Sequence, residues 1–138
     1  MSKEKVLTDA TILSGEGEAF SGYVIMRDDR IIEVGEGKKE WDQERFDVRR
    51  LKADEVLVPG FIDIHIHGVA GADVMDQADK EGHPLQTMAR ELPKEGTTSF
   101  LATTITQKEE EITNAIQQTK QYIGAENRGG QAKYSDYI

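Results

Sequence analysis

The run Pro59-Gly60-Phe61-Ile62-Asp63-Ile64-His65-Ile66-His67-Gly68 divides this 138-residue chain and sets the character of all that follows it. Pro-Gly is a strong breaker of regular structure, and the residues after it alternate. Successive side chains of a strand point to opposite faces. Ile62, Ile64 and Ile66 therefore share one side, suited to packing under helices. Asp63, His65 and His67 share the other, where a dry core would leave three polar groups in need of partners. Two imidazoles at i and i+2 stand close enough to grip one cation, and neutral imidazole binds Zn²⁺ at about 2.0–2.1 Å. Asp63, one step down, is placed to act as an acceptor that fixes a ring tautomer or the strand end. A catalytic zinc needs three protein ligands, so a His-x-His pair by itself is also readable as a surface accident. The alternation, the Pro-Gly before it and the Gly68-Val69-Ala70-Gly71 loop after it favour the metal.

Downstream, Leu85, Met88, Ala89 and Leu92 fall on one face of a helix. Pro84 suits its first turn, Gly96 its end, and Pro93 predicts a short or distorted last turn. Residues 97–103 read as a second strand, with Thr103 and Thr104 at its end and open to a substrate contact. Thr106-Gln107-Lys108-Glu109 has the form of a capping box. Ile112, Ala115, Ile116 and Ile123 give the next helix its expected buried face, and Gly124 a place to stop. Glu109-Glu110-Glu111 reads as its solvated first turn. The polar stretch 128–138 offers no clear third buried strand, and Gly129-Gly130 reads as a linker. Alternating β-α-β-α implies a parallel sheet, whose sites lie at the C-terminal ends of its strands. His83 before Pro84 reads as a cap or surface residue, Asp73 and Asp76 as solvated loop residues rather than substrate contacts, and Gly68 and Gly71 equally as ligand approach or turn.

Upstream the grammar differs. Val6 to Leu13 is a mixed strand, and 23–26 with 31–34 reads as a hairpin around Arg27-Asp28-Asp29-Arg30. Residues 46–48 and 55–58 add short strands, and Trp41 is expected to pack on this β unit. Lys plus Arg total 17 against 26 Asp plus Glu, a net charge of −9 that disfavours nucleic acid as a partner. With 0 Cys, any transition metal falls to His, Asp or Glu. No run approaches a membrane span of about 18 apolar residues, and no secretory-type leader opens the chain, so a cytoplasmic location is expected.

Residues 59–68 resemble the first barrel strand of the amidohydrolase superfamily, metal-dependent hydrolases that share a Pro-Gly-Phe-Ile-Asp-x-His-x-His signature. Two further runs, 67–76 and 96–106, are similar to those of the N-acetylglucosamine-6-phosphate deacetylases within it; dihydroorotases and hydantoinases as a rule lack them. The resemblance implies an α/β fold: the N-terminal part of a (β/α)₈ metal-dependent hydrolase barrel, its first two βα units at 59–138, preceded by a small β-sandwich segment at 1–58. It implies that His65 and His67 are metal ligands, with Asp63 behind them. Zn or Fe comes ahead of Co or Ni, and the presence of both His resembles members with a binuclear site. The implied reaction is hydrolysis of the acetamide of a small amino-sugar phosphate to acetate and the free amine, in a homodimeric enzyme. The metal lowers the pKa of water and polarises the carbonyl.

The family's His-x-Glu-Gly-Pro run, which should follow Arg128-Gly129-Gly130, is absent, and no catalytic residue is assigned within the chain. A (β/α)₈ barrel takes about 250 residues, and from Pro59 there is room for two βα units and the start of a third. The chain therefore reads as the front piece of an enzyme, inactive alone. Alternatives are a non-catalytic interaction module and a piece of a dihydroorotase-like or hydantoinase-like enzyme.

Overall fold

A computed structural model describes residues 3–79, 82–126 and 133–134. The chain divides into two compact units, Met1–Pro59 and Gly60–Ile138.

The first unit is a five-stranded sheet built from β1 (Glu4–Ile12), β2 (Phe20–Arg27), β3 (Arg30–Glu36), β4 (Phe46–Arg50) and β5 (Val56–Leu57). Its order is β3-β2-β1-β4, with β5 also paired to β1. The expected hairpin is β2–β3, antiparallel from Gly22↔Glu36 to Arg27↔Arg30. β4 and β5 lie parallel to β1.

Strand β1 buries every second residue from Val6 to Ile12, yet the buried row serves two clusters. Val6 packs with Tyr23, Ile25 and Trp41, whereas Ala10 and Ile12 pack with Val24. The change follows a break in register between Leu7 and Ala10, where Asp9 takes φ +56°. An extra residue in one strand re-aims the side chains beyond it. One sheet thereby carries an apolar cluster on each face. Where a small β-sandwich was expected, the described residues of this unit form a single sheet. Trp41 packs as expected, edge-on to Tyr23 and Phe46 at 4.8 and 5.4 Å. Its indole N–H donates to the buried Thr8 hydroxyl at 3.1 Å, and the Tyr23 hydroxyl donates to Glu33 Oε1 at 2.7 Å.

The second unit runs β6 (Phe61–Ile66), a small hairpin of β7 (Gly68–Val69) and β8 (Ala72–Asp73), α1 (Pro84–Glu91), β9 (Thr97–Ala102), α2 (Glu109–Glu126) and β10 (Lys133–Tyr134). The sheet order is β10-β9-β6 and both pairings are parallel. The predicted α1 face is the core: Leu85, Met88, Ala89 and Leu92 are buried with Phe100, Val74 and Tyr122. Pro84 opens α1, Pro93 falls in a terminal 3-10 turn, and Gly96 closes it at φ +84°. The His83 ring accepts the Leu85 N–H at 3.2 Å, so it caps the helix as expected.

The start of a third strand, for which the length leaves room, is β10, which pairs Lys133↔Ser99 and Tyr134↔Phe100; the linker reading at Gly129-Gly130 lies outside the described residues. Three expectations are corrected. The capping box sits two residues on: α2 starts at Glu109, and the Glu111 carboxylate accepts the Lys108 N–H at 3.1 Å. The buried face of α2 is turned, with Ala115 and Tyr122 inside and Ile116 56% exposed, and the helix runs through Gly124. Tyr122 carries an apolar ring that a hydrocarbon-only periodicity overlooks, and its ring lies 5.0 Å from that of His83. Lastly, Ile62 and Ile64 are 63% and 72% exposed, because β6 is the edge of the described sheet. Only Ile66 packs on the core.

Candidate metal centre

β6 and β9 bring the candidate residues together at their C-terminal ends. The rings of His65 and His67 are 5.0 Å apart, centre to centre, and nearly perpendicular at 84°. Two imidazoles sharing a cation at about 2.0–2.1 Å and a tetrahedral angle have ring centres about 5 Å apart. The observed spacing thus fits a shared ion.

The two rings are held differently. His67 Nδ1 lies 2.8 Å from the Thr103 carbonyl oxygen. The Thr103 N–H in turn donates to the Ile66 carbonyl at 2.9 Å, and the Val74 N–H to the His67 carbonyl at 2.7 Å. His67 is therefore fixed through its ring and its backbone, while His65 is exposed. The register of β6 against β9 shifts between Asp63 and Ile66, so strict alternation does not run through the pair. At that shift the Asp63 carboxylate accepts the His65 N–H at 3.0 Å. Of its two expected roles Asp63 thus takes the strand-end one, and it touches neither ring by a hydrogen bond seen here.

Beside the pair lies a groove of roughly 560 Å³, lined among others by Ile64, His65, Thr103, Thr104, Ile116 and Ile123. Thr103 enters the site through its carbonyl, a role no side-chain pattern reports; its hydroxyl donates back to Leu101 at 3.2 Å. Asp73 and Asp76 brace the loop after the β7–β8 hairpin: Asp73 Oδ1 accepts the Met75 N–H and Asp76 Oδ2 the Asp73 N–H, both at 2.8 Å. Gly68 and Gly71 serve the turn. A Cβ on Gly68 would lie 2.2 Å from the Ala72 carbonyl oxygen, and Gly71 takes φ +81°. Among the described residues no group of three or more His, Cys, Asp or Glu is placed to hold a metal. The donor set therefore amounts to two imidazoles, which suits part of a transition-metal site. Also among the described residues, no helix is long and apolar enough to cross a membrane.

Parallel strands joined through helices, with two imidazoles at the strand ends, match the opening of a barrel-type α/β fold. Residues 56–129 match the amidohydrolase family, and the chain belongs to that family. It is 40% identical over 127 residues to an N-acetylglucosamine-6-phosphate deacetylase of Bacillus subtilis (strain 168), covering 91% of this chain and 31% of that protein. It is 46% identical over 52 residues to an N-acetylgalactosamine-6-phosphate deacetylase of Escherichia coli O157:H7, covering 38% of this chain and 13% of that protein. The crystal structure of the N-acetylglucosamine-6-phosphate deacetylase from Thermotoga maritima superposes with a TM-score of 0.65 at 29% identity, covering 86% of this chain and 28% of that one. The chain thus spans less than a third of the length of these relatives.

Proposed function

We propose that this chain supplies the first strands and two metal ligands of an N-acetylglucosamine-6-phosphate deacetylase, which hydrolyses the acetamide to acetate and glucosamine 6-phosphate. The observation that carries the reading is the 40% identity to the Bacillus subtilis deacetylase, which extends over 91% of the chain. His65 and His67 hold a divalent cation, Zn or Fe by donor type, as part of a single or paired site completed by residues beyond this chain. When bound, the metal supplies Lewis acidity toward the carbonyl and a more acidic water.

This chain's own residues prepare that step. His67 presents a ring already oriented by Thr103. Asp63 fixes the backbone from which His65 projects. The β6 and β9 ends set His65 against a groove that Thr103 and Thr104 also line. The first 59 residues form the β unit that accompanies the barrel. In the family's manner the assembled protein is a cytoplasmic homodimer acting on a small amino-sugar phosphate.

Acetate release from N-acetylglucosamine 6-phosphate by the protein of the complete reading frame tests the proposal. The expected result is turnover that His65→Ala and His67→Ala abolish. Faster turnover of N-acetylgalactosamine 6-phosphate would move the substrate to the epimer that the Escherichia coli O157:H7 relative is named for. Turnover of neither, in metal-replete enzyme, would overturn it. A His-x-Glu-Gly-Pro run in the coding sequence after Ile138 is the corresponding genetic expectation.

A further inference from the structure

We propose that the Thr103 backbone carbonyl is a positioning group for the metal site, locking His67 in the tautomer that carries its proton on Nδ1 and presents the Nε2 lone pair to the cation. The inference deepens the metal reading above and rests on it. A carbonyl oxygen only accepts, so at 2.8 Å the ring nitrogen facing it must be the donor. In a neutral imidazole the other nitrogen is then the acceptor. A partner on the far side of a ligating imidazole sets which nitrogen meets the metal and how the ring is turned.

The carbonyl is itself held. Thr103 grips β6 twice: its N–H donates to Ile66 and its C=O receives the ring of the next residue. The lock is thus part of the β6–β9 pairing. The other two imidazoles differ. Nδ1 of His83 accepts the Leu85 N–H, which demands the opposite tautomer, with the proton on Nε2. His65 has an exposed ring, whose neighbour is the ring of His67.

The test is ¹⁵N–¹H long-range correlation of the full chain labelled at its 3 histidines, metal-free, at a pH where all are neutral. Signals are assigned with His65→Ala and His83→Asn. His67 should show a protonated Nδ1 and a bare Nε2 in excess of about tenfold, roughly what one hydrogen bond contributes. His83 should show the reverse, which reports in the same spectrum that α1 is formed. Thr103→Ala keeps the carbonyl and should leave the His67 pattern unchanged. A His67 ring protonated on Nε2, or averaged between tautomers, overturns the proposal.

Titration with ¹¹³Cd²⁺ then separates this inference from the metal reading. Coupling to His67 Nε2 supports both, and coupling to Nδ1 overturns the lock. A locked tautomer with no coupling to either ring leaves the lock standing and counts against the metal.

Discussion

Replacing Gly68 by Ala probes whether the hairpin after the His pair is a passive turn or the support of His67. A Cβ there would lie 2.2 Å from the Ala72 carbonyl oxygen and 3.0 Å from the Asp73 Cα, where ordinary contact begins at 3.4 Å. Both obstacles are backbone, so no rotamer relieves them. The paired strands Gly68↔Asp73 and Val69↔Ala72 must part instead. Overpacking of this kind costs roughly 1–3 kcal/mol, and each ladder bond lost adds about 0.5–1.5 kcal/mol. The sum is about 2–4 kcal/mol, or a factor of about 30 to 1,000 in a local opening equilibrium. Gly71→Ala is the control. Its φ is +81° but its Cβ meets nothing within 4 Å, so only the left-handed cost of about 1–2 kcal/mol applies.

The reporter is the Val74 amide, which donates to the His67 carbonyl at 2.7 Å and closes the hairpin onto the strand. Its hydrogen exchange should accelerate far more in Gly68→Ala than in Gly71→Ala, and Zn²⁺ or Cd²⁺ affinity should fall only in the former. Equal exchange rates in the two variants would refute the steric reasoning and return Gly68 to an ordinary turn residue.

Three further outcomes are expected. Thr8→Val removes the acceptor of a buried indole N–H at nearly constant shape, so the first unit should lose about 1–3 kcal/mol; fluorescence of the single Trp during urea unfolding reads this directly, and an unmoved midpoint contradicts it. His83 is held below the usual histidine range, mainly by burial, against the opposing pull of a hydrogen bond to the Gln118 backbone. Its neutral form is then favoured by the folded state, so its contribution is full above about pH 6.5. That contribution is lost as pH falls from there toward the lowered folded value; His83→Asn, which still caps α1, should flatten this part of the stability profile. The 138-residue chain by itself should release no acetate above the His65→Ala/His67→Ala background, because two imidazoles are fewer than the three ligands of a catalytic zinc; measured turnover would show that the groove beside His65 is a complete site.

The elements whose formation depends on neighbours in sequence were legible. The β2–β3 hairpin follows from two β-branched runs around a polar turn. The α1 core follows from four apolar residues on one helical face. His65 and His67 stood out because imidazoles two apart on a strand share a face, and their rings do meet. What escaped depends on partners far along the chain. The bulge at Asp9 re-aims β1 from one cluster to the other, although the row of Val6, Thr8, Ala10 and Ile12 looks like an unbroken single face. The third strand, Lys133–Tyr134, has no hydrophobic pattern of its own and exists as a strand through pairing with β9.

The site shows the same division within a few residues. Its chemistry is written in side chains, so residue type and spacing reveal it. Its orientation is written in the backbone of another strand. A sequence displays the Thr103 hydroxyl, which turns back to Leu101, and conceals the carbonyl, which meets His67. A strand can therefore orient a side chain of its neighbour through where it places one peptide plane. Substitutions at position 103 that preserve the β6–β9 register should be tolerated more readily than a register shift that leaves every side chain of the site intact.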